Sequence, residues 1–248
     1  MSHVVLITGA SRGIGAAAAL LAAERGYAVA VNYTANSLAA DEVVRQIRQS
    51  GGQAMAVKAD VADEAQVMAM FTKVDAKFGP LTALVNNAGV VDVATRVDAM
   101  DYARIRRMFE INVFGSFLCA REAVRRMSTR HGGAGGSIVN VSSAASRLGS
   151  PGQYVDYASA KGAIDTFTIG LAKEVAGEGI RVNAVRPGVI ATDIHASGGQ
   201  PTRALDLAGS IPMLRPGRAE EIAAAIVWLM GDDASYTTGA LLDVAGGR

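Results

Sequence analysis

Tyr157 and Lys161 stand four residues apart in a stretch of helical patterning, Tyr157-Ala-Ser-Ala-Lys161, so they share one helix face a turn apart. A phenol beside an ammonium is a candidate proton-transfer pair. Free tyrosine titrates near ~10, and bringing it to ~7 takes about 4 kcal/mol. One ammonium at ~4 Å supplies about 4 kcal/mol at an effective dielectric of ~20. Lys161 is therefore expected to depress Tyr157 and ready it for general acid/base work. Tyr154 competes for that role, but four residues on from it stands Ala158. Alone, such a pair is what many helix surfaces carry. Its weight comes from Ser142-Ser143 at the end of one strand pattern and Asn86-Asn87-Ala88-Gly89 at the end of another.

A second cluster is built to bind. Thr8-Gly9-Ala10-Ser11-Arg12-Gly13-Ile14-Gly15 lies between an apolar strand pattern and a helix pattern. Glycine serves there for a sharp turn, for close backbone approach to a pyrophosphate, and for tight packing of helix on strand. The pyrophosphate then meets free N–H groups and the positive end of the helix dipole. The spacing, Gly-x-x-x-Gly-x-Gly, departs from Gly-x-Gly-x-x-Gly, but its placement points to a dinucleotide. In NAD sites a carboxylate ~20 residues on takes the ribose 2′-OH. Here the second strand ends Asn32-Tyr33-Thr34 and the next carboxylate is Asp41, inside a helix pattern. With no carboxylate to repel a 2′-phosphate, and with Arg12 able to pair with one as a fork, NADP(H) is favoured and NAD(H) stays possible.

Those residues need a scaffold, and the hydrophobic pattern supplies one. Val4–Thr8, Ala28–Tyr33, Ala54–Ala59, Ala83–Asn86, Ser137–Ser142, Arg181–Pro187 and Ala240–Val244 read as strands. They are near-continuously apolar, as in parallel strands covered on both faces. Helices are expected over Ile14–Arg25, Leu38–Gln49, Glu64–Phe78, Asp101–Arg130, Tyr154–Ala176 and Glu220–Met230, with starts marked by Ser37 and by Asp63-x-x-Gln66. Val113, Phe117, Ala120, Val124 and Met127 fall on one helix face. Strand–helix alternation of this kind predicts an α/β doubly wound parallel sheet with ligands at the carboxyl ends of its strands. His131–Gly136 reads as a glycine-rich turn. Gly188–Gly217 reads as irregular, with a mobile substrate lid at about 193–217.

The chain is 248 residues long, 50% hydrophobic and 19% charged, which suits one domain, 1–248, with a large core, and excludes disorder. A net charge of +1 offers no global field for nucleic acid or an anionic membrane. A lone cysteine, Cys119, cannot form an internal disulfide, which fits a reducing cytoplasm. The opening residues carry no basic region before an apolar core, so no signal peptide is expected, and no apolar run approaches the ~18 residues of a membrane span.

Taken together, TGASRGIG near the start, Asp60-Val61, NNAG, Asn112, VSS, YASAK and Arg186-Pro187-Gly188 resemble the short-chain dehydrogenase/reductase family along essentially the whole chain. Within it the likeness is to the ~250-residue single-domain members similar to glucose 1-dehydrogenase and 3-oxoacyl-carrier-protein reductase. The resemblance implies a Rossmann-type sheet of about seven strands with helices on both faces. It implies hydride transfer between a nicotinamide and a small-molecule carbonyl or secondary alcohol. Tyr157 would be the general acid/base, Lys161 its partner, Ser143 the carbonyl orienter and Asn112 the anchor of a proton-relay water. Ser143 stands 14 residues before Tyr157, one more than in many relatives, so Ser142 stays an alternative. Asp60 and Val61 would lie along the adenine and Asn87, with Ala88 and Gly89, near a ribose. Ile190 and Thr192, following Pro187 and Gly188, would lie beside the nicotinamide amide. A homotetramer is implied as well, and the apolar seam Val113–Met127 is a candidate for its interface.

Other features of the sequence point to no site. Arg104, Arg106, Arg107, Arg121, Arg125, Arg126 and Arg130 concentrate locally, but nucleic-acid binding would want stacking aromatics and a basic domain. His3 and His131 lack metal-ligand spacing, and His195 falls in the lid. Two further readings stay open: a non-catalytic dinucleotide-binding sensor or scaffold, and a structural subunit of a larger assembly.

Overall fold

The computed structural model describes residues 3–193 and 198–248. Among them β1 (His3–Ile7), β2 (Tyr27–Tyr33), β3 (Ala54–Lys58), β4 (Ala83–Asn86), β5 (Gly136–Val141), β6 (Ile180–Pro187) and β7 (Leu241–Val244) form one parallel sheet. Its order is β3-β2-β1-β4-β5-β6-β7. Val5 of β1 pairs with Val29 on one side and Ala83 on the other, so the chain winds outward in both directions from the β1–β4 seam. That reversal opens a crevice at the carboxyl ends of β1 and β4.

Alternation along each strand explains why the runs look uniformly apolar. Val5, Ile7, Val29, Val31, Val85 and Val139 face α1 (Gly13–Glu24), α2 (Ser37–Gln49) and a C-terminal helix, Ala219–Met230. Their neighbours Val4, Leu6, Ala28, Ala30, Leu84 and Ile138 face the opposite layer, built by α3 (Glu64–Phe78), Gly115–Met127 and Val155–Val175. Each fully buried Leu, Ile or Phe adds about 1.5–3 kcal/mol. In α1 the buried positions Ala18, Ala19 and Ala22 are all alanine, which lets the helix sit close on the sheet and bring its N-terminus to the crevice.

Three expectations change. The start of α2 is capped by Asn36, whose side chain accepts from Ala39 N at 3.0 Å, and Ser37 is already helical. Asp63 does cap α3, accepting from Gln66 N, but the Gln66 side chain reaches back to Asp60 N as well as to Asp63. The helix expected over 101–130 is two, α4 (Tyr102–Phe109) and α5 (Gly115–Met127), joined by a π-turn at Glu110–Phe114. On the expected seam Val113, Ala120 and Met127 are buried and Val124 packs on the core. Phe117 is instead 47% exposed and stacks on Phe167 with ring centroids 3.8 Å apart.

Beyond β5 come α6 (Ala145–Leu148), α7 (Val155–Val175), α8 (Arg203–Asp206) and α9 (Ala219–Met230). The 188–217 segment has a built stem: Gly217 N donates to Val189 O and Ala191 N to Gly217 O, both at 2.9 Å. His195 lies outside the described residues. Asp156, Glu110, Glu64, Glu122, Asp75 and Glu178 pair with Arg104, Arg106, Arg121, Arg125, Arg126 and Arg130, so six of those seven arginines, all but Arg107, are paired with carboxylates. Among the described residues no helix is long and apolar enough to cross a membrane.

Candidate active site

The glycine loop takes the form its composition demands. Gly9 has φ +61, and a Cβ there would lie 2.9 Å from Ala88 Cα. A Cβ on Gly15 would meet Asn87 Nδ2 at 2.5 Å and Gly9 O at 2.7 Å, so only glycine lets the helix start close on the loop. Thr8 and Asn87 clasp β1 to β4. Thr8 Oγ1 accepts from Asn87 N and Ala88 N, while Asn87 Nδ2 donates to Thr8 O and Gly9 O. The first residue before α1, Arg12, is extended, makes no capping bond through its side chain, and is followed by a first turn without acidic residues. Helix N–H groups left in this way suit a phosphate, so the residues present fit a dinucleotide.

Strand ends supply the rest of that groove. Asn32 is buried and wholly engaged, accepting from Gly9 N at 3.1 Å and donating to Val57 O and Ala59 O; it holds the loop from behind. Tyr33 and Thr34 reach the surface beyond it, and Arg12 is exposed nearby in chain order. Asp60 accepts from Ala62 N, and the Val61 side chain is buried against Gly115. These residues, with Gly9, Ser11, Gly13 and Ala88, belong to the carboxyl edge of the sheet.

A cavity of about 180 Å³ opens beside them. It gathers Ile14, Asn87, Gly89, Ser142, Ser143, Tyr157, Lys161, Pro187, Gly188, Ile190 and Thr192 from five separate stretches of sequence. The two serines are not equivalent. Ser142 Oγ donates to Asp165 Oδ1 at 2.6 Å and to Lys161 O at 3.2 Å, and Asp165 in turn holds Arg186. Ser143 makes no such bond to Asp165 and lines the cavity with Tyr157, where its side chain favours the ionised form of the phenol. Asn112, inside the π-turn, is fully buried; its amide donates to Val90 O and Met108 O and accepts from Val90 N, fixing the segment after NNAG. Such turns recur where a helix must offer unusual backbone geometry.

The electrostatics correct one expectation. Burial pushes the Tyr157 hydroxyl up to about 12, with the Ser143 hydrogen bond opposing. The Lys161 ammonium stands 5.7 Å from the Tyr157 ring centroid and donates to Val141 O at 2.7 Å. Burial also pulls Lys161 down to about 8, against the attraction of Asp165. Desolvation outweighs the single charge on which the earlier figure rested. At neutral pH Tyr157 is a protonated phenol.

A stability consequence follows from the lysine. Its folded value lies below the ordinary 10.5, so between pH 8 and 10.5 the unfolded chain binds more protons than the folded one, and stability rises with pH across that window. The cost of the buried ammonium is fully present below pH 8. Replacing Lys161 with Met removes this dependence. The stability of the variant relative to wild type should therefore fall by about 3 kcal/mol between pH 7 and pH 10.5, as measured by denaturant unfolding. A constant difference would show that the ammonium is not desolvated.

Other residues also line the cavity: Val91, Val189 and Arg248, with Leu148, Ser150 and Tyr154 from the lip at 144–155 and Arg203 from the 193–217 segment, the two regions expected to set substrate identity. Arg248 reaches the cavity because β7 is parallel to β6, so the tail beyond it emerges at the ligand edge. There Gly188 N donates to Val244 O, and a Cβ on Gly188 would lie 2.8 Å from Ala245 Cα.

Comparison with known proteins completes the description. A family model described as Enoyl-(Acyl carrier protein) reductase matches residues 9–248. The chain is 58% identical over 245 residues to an uncharacterized oxidoreductase, YgfF, of Escherichia coli (strain K12), covering 99% of each. It is 42% identical over 247 residues to a cis-4-hydroxycyclohexanecarboxylate dehydrogenase of Sinomonas cyclohexanicum, covering 99% of this chain and 96% of that one. A solved short-chain dehydrogenase/reductase from Serratia marcescens BCRC 10948 superposes with a TM-score of 0.91 at 34% identity, covering 100% and 98% of the two chains.

Proposed function

The chain belongs to the short-chain dehydrogenase/reductase family and is an oxidoreductase of CH–OH and C=O groups. From that premise we propose that it exchanges a hydride between NADP(H) and a small carbonyl or secondary alcohol, with Tyr157 as the proton donor and acceptor. The observation that carries this reading is one cavity that brings Ser143, Tyr157 and Lys161 together with Asn87, Ile190 and Thr192.

When bound, the nicotinamide supplies the hydride chemistry. The chain's residues do the rest. The N-terminus of α1, with Gly9, Ser11, Gly13, Ile14 and Gly15, would hold the pyrophosphate. Asp60 and Val61 would line the adenine, and Asn87, Ala88 and Gly89 a ribose. Pro187, Gly188, Ile190 and Thr192 would flank the nicotinamide, and Arg12, with Tyr33 and Thr34 at the end of β2, would take the 2′-phosphate. Ser143 orients the carbonyl oxygen. Tyr157, protonated at neutral pH, gives that oxygen its proton during reduction and accepts one as tyrosinate during oxidation. Lys161, joined to Val141 O, places a proton-bearing group beside Tyr157, and Asn112 keeps the adjoining backbone in position for relay to solvent. The 193–217 segment would cover the substrate as a lid.

Turnover of a panel of ketones and oxo acids, followed by NADPH absorbance, tests the reading. NADPH fluorescence measured alongside separates a catalyst from a sensor, which would bind the cofactor and consume none.

The chain is also expected to work as a homotetramer. Phe114, at the end of the π-turn, is 55% exposed, Phe117 on α5 is 47% exposed and Ile169 on α7 is 37% exposed, an apolar face unlike its charged surroundings. Light scattering at micromolar concentration should report a particle of four 25.5 kDa chains; a single-chain particle overturns this.

A further inference from the structure

The cavity's charges are one-sided. None of the described residues lining it is Asp or Glu, whereas Lys161, Arg203 and Arg248 are all present. The net charge of +1 does not account for this bias, which belongs to the cavity itself.

Carboxylates on the surrounding elements are already engaged. Asp156 pairs with Arg104 at 2.8 Å, Asp165 with Arg186 at 2.9 Å, and Asp243 with Arg147 at 3.3 Å. On α8 itself, Asp206 accepts from the Thr202 hydroxyl. Arg203, by contrast, has only neutral partners among the described residues. Its two terminal nitrogens donate to Gln200 Oε1 and Gln153 Oε1, each at 2.6 Å, and its guanidinium lies 5.1 Å from the Tyr154 ring centroid. Tyr154 also donates to Gln200 Oε1, so one amide oxygen ties ring and guanidinium together. Two of five N–H donors are used, which leaves the guanidinium held in position and still able to donate as a fork. Arg248 is set by its main chain: Arg147 donates to Arg248 O at 3.2 Å, and among the described residues the Arg248 side chain makes no ion pair.

The cavity thus has a proton-transfer end at Ser143 and Tyr157, apolar walls from Val91, Leu148 and Ile190, and in the same lining the held guanidinium of Arg203 together with Arg248. A charge kept in a partly dry cavity without a countercharge is costly, and an anionic ligand removes that cost. We propose that the substrate carries a carboxylate, which Arg203 and Arg248 bind while its carbonyl or hydroxyl carbon lies at Tyr157. The proposal rests on the oxidoreductase reading and narrows its substrate class to small oxo acids and hydroxy acids.

The test compares 4-oxopentanoate and 5-oxohexanoate with their methyl esters, which keep the carbonyl and lose the charge. The kcat/KM ratio of acid to ester should be about 10- to 100-fold for the better-fitting length, the worth of a charge-assisted pair. In Arg203→Gln, and separately in Arg248→Gln, that ratio should fall toward one. Calorimetry with hexanoate, which cannot react, against hexanamide supplies a readout independent of turnover. Hexanoate should bind at least tenfold more tightly to wild type, and Arg203→Gln should abolish the preference. Esters used as well as acids, or an acid-to-ester ratio that neither variant changes, overturn the proposal. If no carbonyl is reduced but hexanoate still shows an Arg203-dependent preference, the reductase assignment fails and the anion site stands.

Discussion

Replacing Tyr157 with Phe should lower turnover at least ~10²-fold, the usual worth of a positioned acid/base, while NADPH binding measured by fluorescence stays close to wild type. The phenyl ring still fills the space beside Lys161, so the loss isolates the hydroxyl. In wild type the Tyr157 hydroxyl sits at about 12, and only its anion can take a proton from an alcohol. Alcohol oxidation should therefore climb with pH, and the variant should lose that climb. Retention of most activity would place the proton transfer on another group.

Replacing Arg12 with Ala should cost NADPH about 10- to 150-fold in kcat/KM and leave NADH nearly as before. The figure is one charge-assisted pair of ~1.5–3 kcal/mol, at ~1.4 kcal/mol per tenfold. The structure sharpens the argument. Asn32 is consumed by Gly9 N, Val57 O and Ala59 O, so β2 offers a ribose only Tyr33 and Thr34, and neither repels a 2′-phosphate. Arg12 sits exposed where the loop enters α1. Equal kcat/KM for the two cofactors in the unmodified protein would remove Arg12 from this role.

What could be read from the residues, and what could not, divides on physical lines. Most strand boundaries came within one residue. The reason is that Val4–Ile7 or Val29–Val31 is buried on both faces, and uninterrupted apolar runs have no other home in a chain of this length. The π-turn at Glu110–Phe114 was invisible because the chain stays helical through it and no proline marks the change. Asn36 and Ser37 are adjacent and both can cap, so only the direction of Ala39 N decides between them. Ser143 is favoured over Ser142 in sequence only through the family resemblance. Asp165, 23 residues on from Ser142, takes that serine and leaves Ser143 to Tyr157. Pair spacing shows the attraction of Lys161 for a tyrosinate but not the desolvation that opposes it and raises Tyr157. Arg203 and Arg248 join the cavity through the 188–217 stem and the β6–β7 pairing, contacts that no local pattern encodes.

Hydride transfer itself is the claim on which the rest depends, and isotope tracing tests it most directly. NADPH deuterated at C4 of the nicotinamide, prepared in each of its two stereochemical forms, is incubated with the wild-type protein and an unlabelled oxo acid. The alcohol product is then weighed by mass spectrometry. One of the two forms should deliver a single deuterium to the carbinol carbon, with the other form giving unlabelled product. Cofactor consumed with no deuterium in the alcohol from either form would contradict the account.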